Sequence, residues 1–172
     1  MSQARSAMEQ LYQELILDHA RTPEGRTLAS SPLPADGLAW AESHQVNSTC
    51  GDEVTLRVEL DGEKIAGLSW DGQGCSISQA SLSVMTELTQ GTTVDEAEHL
   101  GVVFRDLMNT RGKGLDDDDA EELLGDAVAF TGVSQFPARI KCALLGWSAL
   151  RDALARGTSA TASTPHTTQE IS

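Results

Sequence analysis

Three cysteines carry the clearest chemistry in this sequence, and each lies at the edge of a predicted element rather than inside an apolar stripe. Cys50 belongs to the turn-forming run NSTCGD (47–52), Cys75 follows GQG (72–74) before a helical pattern, and Cys142 lies near the start of the last helix. By count alone, the three cysteines could also be small hydrophobic residues buried in the core. Thiols beside glycines or cations, or at a helix N-terminus, are instead typical of metal ligands and nucleophiles. The odd count and the lack of a CxxC pair argue against a disulfide framework.

A metal site built on these thiols would need a fourth donor. Soft metals such as zinc are held tetrahedrally, so three converging thiolates leave one position to fill. Asp52 is the economical candidate, because Cys50-x-Asp52 can present both side chains from one turn. Structural zinc sites are normally Cys₄ or Cys₃His. A shell with four anionic ligands and one harder oxygen donor should be easier to open, because its ligands repel one another.

Other candidate ligands show no comparable pattern. The four histidines have no metal-ligand spacing, and His19, at the end of the first helical stripe, is expected to be packed or to face a partner. The acidic run 116–119 lacks the alternating ligands and the glycine of an EF-hand loop. It is therefore expected to be a solvated loop.

Composition excludes several classes of function. The chain has 172 residues and a formal net charge of −14, which argues against binding to nucleic acid or to an anionic membrane surface. No apolar run approaches the length of a membrane span, and the first ten residues lack the apolar stretch of a signal peptide. A cytoplasmic protein with one domain is the expectation.

Alternating apolar residues predict a small antiparallel sheet. A first strand is expected near 38–46, and the alternation over 54–60 gives a second strand with one buried and one wet face. Asp61-Gly62 is a hairpin signal, and 64–70 returns as the third strand.

Helical spacing and capping patterns predict the remaining elements. A first helix begins with a capping box at Ser6, and further boxes begin at Ser76, Thr93 and Asp119. The helix after Thr93 should reach about residue 109, and Pro137 suits the first turn of a last helix. One sheet with helices segregated to one side is an α+β plan, a three-stranded antiparallel sheet packed against a layer of helices. The domain is expected to span 1–156, and the Ser/Thr-rich segment 157–172 to be a disordered tail.

Three segments resemble the signature segments of the U-type iron–sulfur cluster assembly proteins. These are NSTCGD (47–52), GQGCSIS (72–78) and FPARIKC (136–142), and the run LYQELILDH (11–19) resembles the first helix of that family. The similarity extends over about residues 6–156. It implies the same α+β fold and an exposed metal site formed by four residues: Cys50, Asp52, Cys75 and Cys142.

Two features are similar to the SUF-system branch of the family. Lys141 stands where scaffold members carry a histidine before the third cysteine, and 91–114 resembles the insertion of that branch. Proteins of the branch resemble zinc-dependent sulfurtransferases that accept sulfur from a cysteine desulfurase. The resemblance implies that a desulfurase side chain displaces Cys50 from Zn²⁺, that Cys50 then accepts persulfide sulfur, and that the sulfur passes on to a downstream iron–sulfur scaffold complex. Arg139 is assigned a role as a cation that steadies a thiolate or the docked partner.

Two other functions remain open on the same residues. The chain could be a scaffold that assembles a transient iron–sulfur cluster on Cys50, Asp52, Cys75 and Cys142, or an adaptor with a structural zinc. A sulfurtransferase should copurify with zinc and raise the turnover of a desulfurase. A scaffold should become coloured with iron and sulfide, and an adaptor should do neither.

Overall fold

A computed structural model describes the backbone of residues 2–34, 36–159 and 168–171 and the side chains of 6–34 and 36–158. Over these residues the chain forms five helices and a sheet of four strands. The helices are α1 Ser2–Arg21, α2 Ser76–Thr89, α3 Val94–Met108, α4 Asp118–Leu124 and α5 Pro137–Ser159. The strands are β1 Ala39–Asn47, β2 Asp52–Asp61, β3 Lys64–Gln73 and β4 Thr168–Ile171. Two 3₁₀ segments, Leu28–Ser30 and Gly125–Gln135, complete the described elements.

The predicted three-stranded antiparallel sheet is confirmed. The strand order is β3-β2-β1-β4, and β1 to β3 pair in sequence as an antiparallel meander. The alternating apolar residues of β2 point into the core, and they are at most 2% exposed: Val54, Leu56, Val58 and Leu60. Helices cover that face, so the α+β plan is also confirmed.

The opposite face of β2 is not uniformly wet. Arg57 is only 8% exposed, although the alternation predicts it to face solvent. Its guanidinium group donates to a carboxylate oxygen of Glu42 at 2.8 Å and to the carbonyl oxygen of Pro32 at 2.9 Å. It also lies 5.2 Å above the ring of Trp40. The connection between α1 and β1 therefore covers part of this face, and the buried cation is paired.

Aromatic side chains form the centre of the core between the sheet and the helices. Trp70 and Trp147 are 0% and 2% exposed. Phe104 stacks on Trp147 with ring centroids 5.0 Å apart and contacts Phe130 edge to face at 5.8 Å. Such pairs bury large apolar areas and hold α3, α5 and the 3₁₀ segment 125–135 together.

The helix starts predicted from the sequence are only partly correct. Thr93 is the N-cap of α3, and its side chain accepts a hydrogen bond from the Glu96 N–H at 3.1 Å, as predicted. For α4 the predicted cap is wrong, because Asp117, not Asp119, accepts from the first free N–H groups. Acidic residues fill this whole run, and any of them could cap by sequence alone.

The other two predicted caps are also displaced. Cys75 rather than Ser76 is the N-cap of α2, and it makes no side-chain cap hydrogen bond. Helix α1 begins before Ser6, which lies inside it. Capping boxes recur by chance in sequences rich in Ser and Glu, so the pattern does not fix the first residue.

The segment after residue 156 differs from the expected disordered tail in two places. Residues 157–159 continue α5, and Gly157 is buried. Residues 168–171 form β4, which pairs in parallel with the end of β1. An edge strand offers unpaired backbone groups to such a segment, and this pairing satisfies them. Residues 160–167 and 172 lie outside the described residues, and a domain boundary at 156 stays a prediction. Among the described helices, none combines the length and apolar composition needed to cross a bilayer.

Candidate metal centre

The three cysteines come from three parts of the chain that meet at one end of the sheet. Cys50 lies in the turn that joins β1 to β2, and Cys75 follows the end of β3. Residue 53 at the start of β2 pairs with residue 73 at the end of β3, so that turn and the start of α2 are neighbours. Helix α5 packs across β1 and β2 and brings Cys142, in its second turn, to the same end of the sheet.

The predicted ligands converge, three of them tightly. The Sγ atom of Cys50 lies 3.2 Å from the Sγ atom of Cys142 and 3.1 Å from Oδ2 of Asp52. The ligand atoms of these three residues all lie within 4.8 Å of one another. Cys75 stands at the margin of this group, with its Sγ atom 3.8 Å from the same oxygen of Asp52. Sequence positions up to 92 residues apart thus meet at one point.

Asp52 is held so that one oxygen faces the thiols. Its side chain is 2% exposed, and Oδ1 accepts a hydrogen bond from the Cys75 N–H at 3.0 Å. Oδ2 is then left toward Cys50 and Cys75. A Cβ atom at Gly74 would lie 2.5 Å from Oδ1 of Asp52, which accounts for glycine there. The start of α2 and the carboxylate are therefore fixed to one another.

Asn47 belongs to the site, although the sequence pattern predicted no role for its side chain. It is 0% exposed, and its Nδ2 donates to the Sγ of Cys50 at 3.0 Å, with the Sγ of Cys142 at 4.0 Å. Its Oδ1 accepts from the Thr49 N–H at 3.2 Å, which shapes the turn. This role could have been predicted from the sequence, because an asparagine at a turn often accepts the backbone N–H two residues further on. Donors aimed at sulfur favour the thiolate form.

Without a metal, the site raises the pKa of two thiols. Partial burial, followed by the hydrogen bond with Asp52, raises the pKa of Cys50 above its ordinary value. Burial, with hydrogen bonds to Asp52 and Cys50, raises the pKa of Cys142 well above its usual range. Thiols and carboxylate crowd together with no cation among the described contacts, so protons are retained. A divalent cation would offset this repulsion and bind the deprotonated sulfurs.

The donor set fits a thiophilic metal ion. Three sulfurs and one oxygen can supply a tetrahedral shell for zinc, and they also suit iron. Two sulfurs bound to one zinc lie about 3.8 Å apart if the bonds are about 2.3 Å, so the present pair must open by roughly half an ångström. Cys50 and Cys75 are exposed and Cys142 is buried. One side of the site can therefore be reached from solvent.

Arg139 does not contact the thiols in the described structure. It is exposed in the first turn of α5, and its guanidinium carbon lies 5.9 Å from the ring centroid of Phe136. Phe136 is itself 53% exposed. The predicted role of Arg139 in steadying a thiolate or a partner stays a prediction.

Comparisons with known proteins agree with this arrangement. The model of the NifU-like N-terminal domain matches residues 11–156. The chain is 37% identical over 149 residues to the zinc-dependent sulfurtransferase SufU of Bacillus subtilis, covering 87% of this chain and 92% of that protein. It is 35% identical to the iron–sulfur cluster assembly scaffold protein IscU of Streptococcus pyogenes, with 91% of each chain covered.

Solved structures share the fold. A crystal structure of a hypothetical protein has a TM-score of 0.71 and 34% identity, and the match covers 86% of this chain and 98% of that one. A protein of Fervidobacterium islandicum AW-1, proposed to be an iron–sulfur cluster assembly scaffold for the SUF system, has a TM-score of 0.66 and 35% identity, covering 82% and 94%. The family model spans most of the chain and includes all three cysteines. This chain is therefore a member of the NifU-like N-terminal domain family.

Proposed function

We propose that this protein acts in iron–sulfur cluster assembly as a zinc-dependent sulfurtransferase that takes sulfur from a cysteine desulfurase of the SUF system onto Cys50. The observation that carries the proposal is the convergence of Cys50, Asp52 and Cys142, with Cys75 at its margin. The similarity to the Bacillus subtilis sulfurtransferase supports the choice of zinc and of the reaction.

Cys50 is the sulfur that the family resemblance assigns to the reaction, and it is exposed to a partner. It lies in a turn, and Gly51 beside it has φ 76°, a conformation that glycine adopts without strain. Cys142 is 5% exposed within α5, and Asp52 is tied to the N–H of Cys75. Asp52, Cys75 and Cys142 would therefore hold the metal ion, while Cys50 is released to react. Bound zinc would supply a cation that keeps the thiols deprotonated and shields them from oxidation.

The transfer is a thiol–persulfide exchange. The Cys50 sulfur attacks the outer sulfur of the desulfurase persulfide, a new S–S bond forms on Cys50, and the bond within the donor persulfide breaks. The electron pair of that bond leaves with the desulfurase sulfur as a thiolate. Cys50 attacks as the thiolate that a bound zinc ion would maintain, so no proton has to be removed in this step. Oxidation levels balance, since one persulfide is exchanged for another.

A scaffold function on the same four residues is the second candidate. Its support is the similarity, over 91% of the chain, to the Streptococcus pyogenes scaffold protein. An iron–sulfur cluster would then be the product carried on Cys50, Asp52, Cys75 and Cys142. Lys141 favours the sulfurtransferase, because the family resemblance expects a histidine directly before the third cysteine in classical scaffold members.

Metal content and turnover distinguish the candidates. Protein purified without added metal should contain about one zinc per chain and should raise the alanine production of a SUF-system desulfurase. Cys50→Ser should abolish that increase, whereas Ser48→Ala, an exposed change in the same turn, should retain it. Stimulation that survives Cys50→Ser would contradict the proposal. A coloured iron–sulfur species formed on reconstitution, without stimulation of the desulfurase, would favour the scaffold.

A further inference from the structure

A second group of metal-ligating side chains lies away from the cysteines. His19 at the end of α1, Glu87 in α2 and Asp126 in the 3₁₀ segment 125–135 place their ligand atoms within 4.8 Å of one another. The Nε2 atom of His19 lies 3.9 Å from Oε2 of Glu87 and 3.6 Å from Oδ2 of Asp126. In the described structure, neither carboxylate forms an ion pair with any other residue.

The imidazole of His19 is held from its other nitrogen. Nδ1 lies 2.7 Å from the Oγ of Ser83, and that oxygen also accepts the Glu24 N–H at 2.8 Å. A hydroxyl oxygen can accept two hydrogen bonds, so Ser83 can accept from Nδ1–H as well. In that tautomer, Nε2 is the nitrogen with a free lone pair. Metal-binding histidines almost always have this second hydrogen bond, which fixes the ring and its tautomer.

We propose that His19, Glu87 and Asp126 bind a divalent first-row metal ion through Nε2 and one oxygen of each carboxylate. Ligands bonded to one ion at about 2.0–2.2 Å lie roughly 3–3.5 Å apart. The two separations measured from Nε2, 3.9 and 3.6 Å, therefore need to close by less than about 1 Å. A neutral imidazole and two carboxylates balance a charge of +2. Glu87 and Asp126 are 45% and 54% exposed. Water can therefore fill the remaining positions of the ion.

This site is separate from the cysteine centre. Cys75 caps the N-terminus of α2, and Glu87 follows it by twelve residues along the same helix. At 1.5 Å per residue the two positions lie about 18 Å apart, so one ion cannot serve both. The chemistry also differs, because imidazole and carboxylate ligands suit harder ions that thiolates bind poorly, such as Mn²⁺. A bound ion would link α1, α2 and the 3₁₀ segment 125–135.

Mn²⁺ is the probe that separates the two sites. Full-length protein loaded with zinc at the cysteines is titrated with Mn²⁺, and free Mn²⁺ is followed by its EPR signal. Wild type should bind about one Mn²⁺. His19→Gln and Asp126→Asn should each weaken binding by at least about tenfold, the smallest loss expected when a metal site loses a partner. Glu98→Gln removes the same charge from an exposed position on α3 and should bind as wild type does.

The alternative is an ion pair between a protonated His19 and the two carboxylates, without a metal. It predicts that wild type, Asp126→Asn and Glu98→Gln bind Mn²⁺ equally weakly, and that result would overturn the proposal. If His19→Gln does not fold, Asp126→Asn decides, because Asp126 is an exposed residue whose replacement leaves the core intact.

Discussion

Replacing Asp52 by asparagine separates the charge of this carboxylate from its shape. The amide has nearly the same volume, and its oxygen can still accept the Cys75 N–H that Asp52 accepts at 3.0 Å. The atom that faces the thiols at 3.1 Å becomes an NH₂ group or a neutral oxygen. The variant should therefore fold and keep three sulfurs, but lose the anionic oxygen ligand.

Two effects of opposite sign are expected. Zinc should bind about 10- to 100-fold more weakly, which is about 1.4–2.8 kcal/mol of binding free energy. Removing a polar group that only supports the metal ligands already weakens metal binding by this factor, so removing a ligand should cost at least as much. In the metal-free protein, the pKa of Cys50 should fall toward its ordinary value, since the hydrogen bond and charge of Asp52 help to raise it. More thiolate is then present at a given pH, and Cys50 should react faster with iodoacetamide.

Both effects can be measured on one preparation. Zinc affinity is obtained by competition with a chromophoric chelator, and alkylation of Cys50 is followed against pH by peptide mass spectrometry, which separates it from exposed Cys75. Asp61→Asn makes the same chemical change at an exposed hairpin position and serves as the control. If Asp52→Asn and Asp61→Asn bind zinc equally well, Asp52 is not a ligand. If alkylation of Cys50 does not move to lower pH, the cause given for its raised pKa is wrong.

Three further outcomes are expected. Cys142→Ser should lose zinc and lower the Tm of the zinc-loaded protein, because metal binding is linked to folding; an unchanged Tm would show that the buried thiol is no ligand. Gly74→Ala should destabilise the protein and weaken zinc binding together, because its Cβ would lie 2.5 Å from Asp52 Oδ1; chemical denaturation and the same chelator assay measure both, and wild-type values would refute the close approach. The metal-free protein should lose stability as pH rises above about 8.5. The pKa values of Cys50 and Cys142 are raised in the folded state, so the thiols of the unfolded chain lose their protons at lower pH. Urea denaturation at several pH values measures this, and a free energy of unfolding that rises with pH would contradict the prediction.

Local patterns determined the elements of this protein. The alternation along β2 predicts its buried face, and Thr93 predicts the start of α3 correctly. Burial with a period of two and the first turn of a helix depend on residues close in sequence, so they can be read from it. Where several neighbours could play one part, as at Asp117 and Asp119, the sequence alone was ambiguous. The family resemblance, in turn, rests on short motifs around the three cysteines.

Only the tertiary structure decided which distant groups meet. The sequence placed Cys50, Cys75 and Cys142 at element edges, but their separations and the part played by Asn47 follow from how α5 and α2 pack on the sheet. The same holds for His19, which shows no ligand spacing in the sequence yet meets Glu87 and Asp126 in space. Contacts between elements depend on how whole faces of helices and sheet pack together, and each residue contributes only a small part of that packing energy. Such contacts leave no periodic or local signal along the chain, and packing alone brings these groups together.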